Sequence, residues 1–85
     1  MAQRYSVFVH LDLFEVVPKR GTKRQRVLEF IRSLADDPFK PGDFTDRDSA
    51  LQTRQIKVIG DFAITYWADH PVKTVMVVDI RSADK

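Results

Sequence analysis

The stretch "IKVIGDFAITYWADHPVKTVMVVDI", residues 56–80, holds most of the chain's β-branched residues and its only tryptophan. Such residues favour strands, and two turn signals, "IGD" and "DHPV", divide the stretch. We therefore predict three strands, at Arg54 to Val58, Phe62 to Ala68 and Lys73 to Ile80. Connections this short join antiparallel neighbours, so the three strands form a meander.

The two faces of the second meander strand differ, because side chains alternate across a strand. One face carries Phe62, Ile64 and Tyr66. The other carries Ala63, Thr65 and Trp67. We expect the first face to pack on a helix and the second to carry smaller or polar groups. The third strand contains "TVMVV", which is apolar on both faces and suits a strand with neighbours on each side.

The segment before the meander predicts one more strand and one helix. Apolar residues occupy the odd positions Tyr5, Val7, Val9, Leu11 and Leu13, a period typical of a strand with one buried face. Helical spacing then relates Val27, Phe30, Ile31 and Leu34, so we predict an amphipathic helix from Thr22 to Ala35. The segment from Asp37 to Gln52 is rich in aspartate and proline, and we predict a long connection that is either functional or simply pinned against the body by Phe39 and Phe44.

The composition is that of an ordinary globular protein, with 44% hydrophobic and 31% charged residues. Together with the predicted strands and helix, it indicates one α+β domain spanning residues 1–85. The absence of cysteine excludes disulfides and thiolate metal sites. No apolar run approaches the roughly 20 residues of a membrane span, and the N-terminus does not read as a signal peptide. We expect a cytoplasmic protein that does not bind a membrane.

Charge is distributed unevenly although the net charge is only +2. A basic cluster contains Lys19, Arg20, Lys23, Arg24 and Arg26. An acidic block follows it in "DDPFKPGDFTDRD". The basic cluster is either a solvated surface or a binding face for RNA or an acidic protein.

General catalytic motifs are absent from the sequence. We find no phosphate-cradling glycine loop, no histidines at metal-ligand spacing and no nucleophile elbow, so we predict no metal and no cofactor. His10 reads as a structural or solvated residue of the first strand. His70 is a turn residue or contacts a substrate or partner, and Trp67 packs, stacks on a base or anchors a partner.

The order strand, helix, polar loop and meander, together with "RQIKVIGDFAITYWADHPVKTVMVVDIR", resembles the RelE/ParE superfamily of bacterial toxin–antitoxin systems. The motif is a basic strand "RQIKV", a glycine turn, the element "FAITY" and a valine-rich strand that ends near an arginine. The resemblance implies an α+β fold in which the N-terminal strand and the meander form a mostly antiparallel sheet packed on the helix.

The resemblance also implies a function. RelE-type toxins are small cytoplasmic proteins that cleave messenger RNA on the ribosome without metal, and a cognate antitoxin holds them inactive. Lys57 and Arg81 match basic positions of the family's site, and Arg54 is a weaker match. RelE-type enzymes usually carry an arginine where this chain has Ala63, and the tyrosine or histidine that often completes the site does not follow Arg81.

Four functions therefore stay open. The chain is a toxin-like endoribonuclease or translation inhibitor, a catalytically inactive protein-binding module on the same scaffold, a gyrase inhibitor of the ParE branch, or an unrelated small α+β protein with a similar hairpin pattern.

Overall fold

The computed structural model describes residues 4–83, and within them five strands form one sheet. The strands are β1 (Ser6–Val9), β2 (Phe44–Arg47), β3 (Thr53–Ile59), β4 (Phe62–Asp69) and β5 (Thr74–Ser82). Their order in the sheet is β1-β5-β4-β3-β2, with β1 parallel to β5 and every other neighbouring pair antiparallel. The prediction of an α+β fold with a mostly antiparallel sheet is confirmed, and β5 has the predicted neighbour on each side. The two ends of the predicted domain, residues 1–3 and 84–85, lie outside the described residues.

One helix, α1 (Thr22–Asp36), covers one face of this sheet. The side chains predicted to face the core are buried, namely Val27, Phe30, Ile31 and Leu34. They pack with Ile64 and Tyr66 of β4 and with Val75 and Val77 of β5. Removing such apolar surface from water is the main favourable contribution to folding. Among residues 4–83, no helix is long and apolar enough to span a membrane.

A β-bulge interrupts the pairing of β4 with β5. Thr65 lies opposite Asp79, whereas the next residue, Tyr66, lies opposite Val77. Val78 is therefore an extra residue in β5, and it is exposed. This extra residue shifts the alternation of β5, so that Val77 before the bulge and Ile80 after it are both buried in the core with Tyr66.

The prediction of a first strand that reaches Leu13 is wrong in its second half. β1 ends at Val9, and Leu11–Val16 form a 3₁₀ helix. His10 therefore lies beyond the strand. It caps this helix, and its Nδ1 atom accepts a hydrogen bond from the Asp12 amide. The tighter winding leaves Leu11 exposed while Leu13 still packs against the core.

The predicted long connection contains a strand that the sequence pattern did not indicate. β2 lies at the edge of the sheet and pairs with β3, from Phe44 opposite Ile56 to Arg47 opposite Thr53. Just before β2, the Asp43 amide donates to the carbonyl oxygen of Ile56 at 2.8 Å. The Asp43 carboxylate accepts from the Val58 amide at 2.9 Å, so this residue fastens the segment to β3.

Burial of Phe39 and Phe44 does not hold this segment, because they are 71% and 62% exposed. The Phe39 ring stacks on His70. Polar contacts also hold the segment, among them a hydrogen bond of 2.9 Å from the buried Tyr66 hydroxyl to the carbonyl oxygen of Lys40. Polar contacts of this kind leave no hydrophobic signature, which explains why the sequence pattern did not reveal them.

Candidate functional site

The face of the sheet opposite α1, called here the open face, carries a polar pocket. Residues directly opposite each other on neighbouring strands share a face. The pairs that concern the open face are Asp46 with Arg54, Ala63 with Arg81, and Thr65 with Asp79. These six residues, with Ile56, line a pocket of about 260 Å³, called here the open-face pocket.

Arg54 is held by a two-pronged ion pair in this pocket. Its Nε and Nη2 atoms each donate to a different oxygen of Asp46 at 2.8 Å. The side chain of Arg54 is only 25% exposed. The hydrogen bond to Asp46 raises the pKa of Arg54. A parallel arginine–carboxylate pair of this geometry is among the stronger polar contacts in proteins, so Asp46 fixes both the position and the charge of Arg54.

Arg81 is also paired, but much less firmly. Its Nε atom donates to one oxygen of Asp79 at 2.6 Å, and its side chain is 74% exposed. Exposed ion pairs with a single contact contribute little to stability, because water and salt screen them. Arg81 can therefore exchange Asp79 for another anion more easily than Arg54 can exchange Asp46.

Lys57 lies on the other face of the sheet. It stands opposite Ile64, a fully buried core residue, and its Nζ atom is 3.3 Å from the Asp43 carboxylate. The structure thus brings Arg54 and Arg81 into one pocket and separates Lys57 from them. The reason is the alternation of a strand, in which residues 54 and 57 point in opposite directions.

The Asp43 carboxylate accepts hydrogen bonds from two partners, the Val58 amide and the Lys57 side chain. The hydrogen bond from the Val58 amide is the main cause that lowers the pKa of Asp43. Desolvation opposes this effect, and the contact with Lys57 lowers the pKa of Asp43 further. Lys57 is therefore part of the attachment of the β2 segment and faces away from the open-face pocket.

The basic cluster predicted from the sequence lies at and before the start of α1, and part of it is engaged within the chain. Lys23 forms an ion pair of 2.7 Å with Asp61 in the turn between β3 and β4. This pair raises the pKa of Lys23 and lowers the pKa of Asp61. Arg24 donates to the carbonyl oxygen of Pro18, and its guanidinium lies 5.3 Å from the centre of the Phe14 ring.

The other three members of the basic cluster, Lys19, Arg20 and Arg26, have exposed side chains. An Nη atom of Arg26 lies close to Gly60, in the same turn as Asp61. The cluster is therefore a partly compensated basic surface, and it belongs to a different face of the molecule from the open-face pocket.

Trp67 and His70 lie at one end of the sheet. Trp67 stands opposite Met76, which stands opposite Phe8, so these side chains share the open face. His70 is in the turn between β4 and β5, and its ring stacks on Phe39 with ring centres 4.7 Å apart. Trp67 and His70 both line a second pocket, at the end of β3 and β4.

The two aspartates that neutralise the open-face arginines were not predicted from the sequence. The pair of Asp79 with Arg81 was within reach, because residues two apart in a strand share a face. The pair of Asp46 with Arg54 depends on β2, which the sequence pattern did not predict. This pair can be recognised only when the pairing of β2 with β3 is known.

A scan against protein-family models and a search of curated proteins gave no match to this chain.

Proposed function

We propose that this protein is a toxin-like component of a toxin–antitoxin pair and that it acts by binding a protein partner through the open face. One observation carries the proposal. Both arginines that line the open-face pocket are paired with aspartates of the same face, Arg54 with Asp46 and Arg81 with Asp79. The resemblance to the RelE/ParE superfamily supports the toxin-like assignment, and the ion pairs favour binding over cleavage as the mode of action.

The pocket offers little to a scissile phosphate. RNA cleavage without metal needs a base for the 2′-hydroxyl, cations around the phosphate and an acid for the leaving oxygen. Here the two positive charges are balanced by two carboxylates, and Lys57 faces away. Ala63 cannot donate a hydrogen bond, and loss of one preorganised donor lowers catalytic rates by about a hundredfold or more.

The same face has the composition of a protein interface. Phe8 and Phe44 are exposed on it, next to Met76 and the two arginines. Aromatic residues, methionine and arginine are enriched at interfaces between proteins. Each arginine–aspartate pair presents one positive and one negative group to a partner, which favours a partner with matching polar groups. The partner that fits the toxin-like assignment is a cognate antitoxin.

A second candidate is a metal-independent endoribonuclease that acts on messenger RNA at the ribosome. It is favoured by the convergence of Arg54 and Arg81 on one pocket and by the high exposure of Arg81. An incoming phosphate could displace Asp79 from Arg81, since a single exposed ion pair is weak. This candidate requires that Arg81 be essential for RNA cleavage.

Expression of the protein alone in a bacterial host separates these functions. We expect messenger RNA ends to stay unchanged in wild type. New RNA ends that disappear in Arg81→Ala, but persist in the matched control Arg32→Ala on the exposed side of α1, would establish the second candidate. Growth arrest without new RNA ends would point to a protein target, and a supercoiling assay with purified gyrase then tests the ParE-type alternative.

A binding measurement tests whether a protein partner binds through the open face. Co-expression with the protein encoded next to it in its source genome supplies the candidate antitoxin. We expect a stable complex that Phe8→Ser and Phe44→Ser each weaken by roughly tenfold or more, because a few large anchor residues carry most of the binding energy of an interface. Val72→Ser is the control, since Val72 is exposed to a similar degree in the turn between β4 and β5. Equal effects of all three variants would contradict binding through the open face.

A further inference from the structure

The sheet divides at one end, where β3 and β4 separate. The two strands pair from Ile59 opposite Phe62 to Gln55 opposite Tyr66, and no further. β3 continues to Thr53 along β2, while β4 continues to Asp69 along β5. The separation opens a pocket of about 230 Å³, called here the fork pocket. Its lining includes Phe39, Gln52, Gln55, Tyr66, Trp67 and His70.

Two polar walls of the fork pocket are fixed by hydrogen bonds. The Gln55 carbonyl oxygen Oε1 accepts from the Gly42 amide at 2.9 Å, which orients the side-chain amide and leaves its NH₂ group as a donor. The Tyr66 hydroxyl donates to the carbonyl oxygen of Lys40 at 2.9 Å. A ligand would therefore meet a site whose polar groups are already in place, which lowers the entropy lost on binding.

The aromatic walls are held as well. The rings of His70 and Phe39 are stacked, 4.7 Å apart and within 18° of parallel. The Nδ1 atom of His70 is 2.8 Å from the Tyr5 hydroxyl, which fixes the plane of the imidazole. Phe39 nevertheless remains 71% exposed, and Trp67 is also among the residues that line the pocket.

We infer that the fork pocket binds a purine nucleobase. Planar bases stack on exposed aromatic side chains, and the NH₂ group of Gln55 can donate a hydrogen bond to N7, an acceptor that purines carry. A Phe side chain has no polar group and a Trp side chain has one, whereas the pocket is lined by the polar residues Gln52, Gln55 and Thr53. A volume of about 230 Å³ is below that of pockets for drug-sized ligands and suits one base. This site goes beyond the proposed function and does not involve the open-face arginines.

Trp67 provides the test, because it is the only tryptophan of the chain and lines the pocket. The purified full chain is titrated with adenosine and with a short single-stranded oligoadenylate, and Trp67 fluorescence is followed. We expect saturable quenching by adenosine. Tighter binding of the oligoadenylate identifies RNA as the source of the base, and equal binding identifies a free nucleoside or nucleotide.

Variants decide whether the binding is at the fork pocket. We expect Phe39→Ala to weaken adenosine binding roughly five- to a hundredfold, the range for loss of one base–aromatic stack. Gln55→Ala should also weaken it. Phe44→Ala is the matched control, an equally exposed phenylalanine on the open face, and should bind as wild type does.

Three results of these titrations would overturn the inference. The first is the absence of saturable quenching by either probe up to the solubility limit of adenosine. The second is the same loss of affinity in Phe44→Ala as in Phe39→Ala. The third is binding of N-acetyltryptophanamide as tight as that of adenosine, which would assign the pocket to an aromatic side chain. Because Gln55→Ala could disturb the fold, the NMR shifts of the Gln55 side-chain amide and the Trp67 indole of wild type give a second measurement. Both signals must move on addition of adenosine.

Discussion

Replacing Gly42 by alanine tests how the edge strand β2 is attached to the sheet. A Cβ atom at this position would lie 2.5 Å from the carbonyl oxygen of Ile56 and 2.7 Å from its nitrogen. These are backbone atoms of β3, so they cannot rotate away as the end of a side chain could. The segment before β2 must therefore move, and the hydrogen bond from the Gly42 amide to Gln55 is stretched or lost.

The magnitude follows from two contributions. Forcing an extra methyl group into a filled space destabilises proteins by about 1–3 kcal/mol. Loss of one hydrogen bond adds about 1 kcal/mol. The free energy of unfolding should thus fall by about 2–4 kcal/mol. For a domain of this size, 1 kcal/mol corresponds to about 4–8 °C, so the thermal midpoint should fall by roughly 8–32 °C.

Urea unfolding followed by Trp67 fluorescence and by circular dichroism measures this change. Gly60→Ala is the control, because the added Cβ there meets only a flexible end of Arg26 at 3.4 Å. Gly60 has a φ of 59°, in the left-handed region, so alanine there should lower the free energy of unfolding by about 1–2 kcal/mol. A Gly42→Ala protein within about 0.5 kcal/mol of wild type, or more stable than Gly60→Ala, would refute the close attachment of β2.

Three further predictions concern single side chains. Burial, with smaller effects of Asp43 and Asp37, raises the pKa of Tyr66 to about 12 from 10.0, so the unfolded chain loses this proton first. The free energy of unfolding should therefore fall as the pH rises above 10.0, and it should fall less in Tyr66→Phe. At neutral pH, Tyr66→Phe should be less stable than wild type by about 1 kcal/mol, because it lacks the hydroxyl hydrogen bond. Unfolding of both proteins followed by circular dichroism at neutral and alkaline pH measures these differences. The pKa of Asp43 lies below its ordinary value of 3.8, so its contribution is present above that pH and disappears as the pH falls through the folded pKa. Acid titration of Asp43→Asn should accordingly show a weaker pH dependence than wild type. Arg54→Ala should lower the thermal midpoint more than Arg81→Ala, because Arg54 makes two contacts with Asp46 and is far less exposed; calorimetry that ranks them in reverse would contradict the ion-pair geometry.

The meander and α1 were predictable because their signals are local. The alternation of Phe62, Ile64 and Tyr66 and the spacing of Val27 and Leu34 each lie within a single element. Apolar periodicity reports which face of an element is buried, and it does so without knowledge of the neighbours. These elements agree with the prediction to within a few residues at each end.

β2 could not be predicted in this way, since nothing within "FTDR" marks it as a strand. It forms because Asp43 fastens the preceding segment to β3 and because Gly42 allows the two backbones to approach. Both causes lie between residues that are distant in sequence. The 3₁₀ helix was missed for a related reason, because Leu11 and Leu13 keep the parity of a strand while the cap formed by His10 changes the winding.

The candidate site was predictable only in part. That Arg54 and Lys57 face opposite ways follows from their spacing of three residues in one strand. Which carboxylate neutralises Arg54 depends on the register between β2 and β3, and the fork pocket depends on where the pairing of β3 with β4 ends. Such features follow from strand pairing, which a single sequence does not encode locally.

The claim that the open face binds a protein and does not cleave RNA is tested most directly in a cell-free translation mixture. Purified wild-type protein is added to translating ribosomes, and the ends of the messenger RNA are mapped. Because both positive charges are compensated, we predict that the message remains intact at protein concentrations above that of the ribosomes. New RNA ends that require Arg81 would contradict the protein-binding function and would make the open-face pocket a site of RNA cleavage.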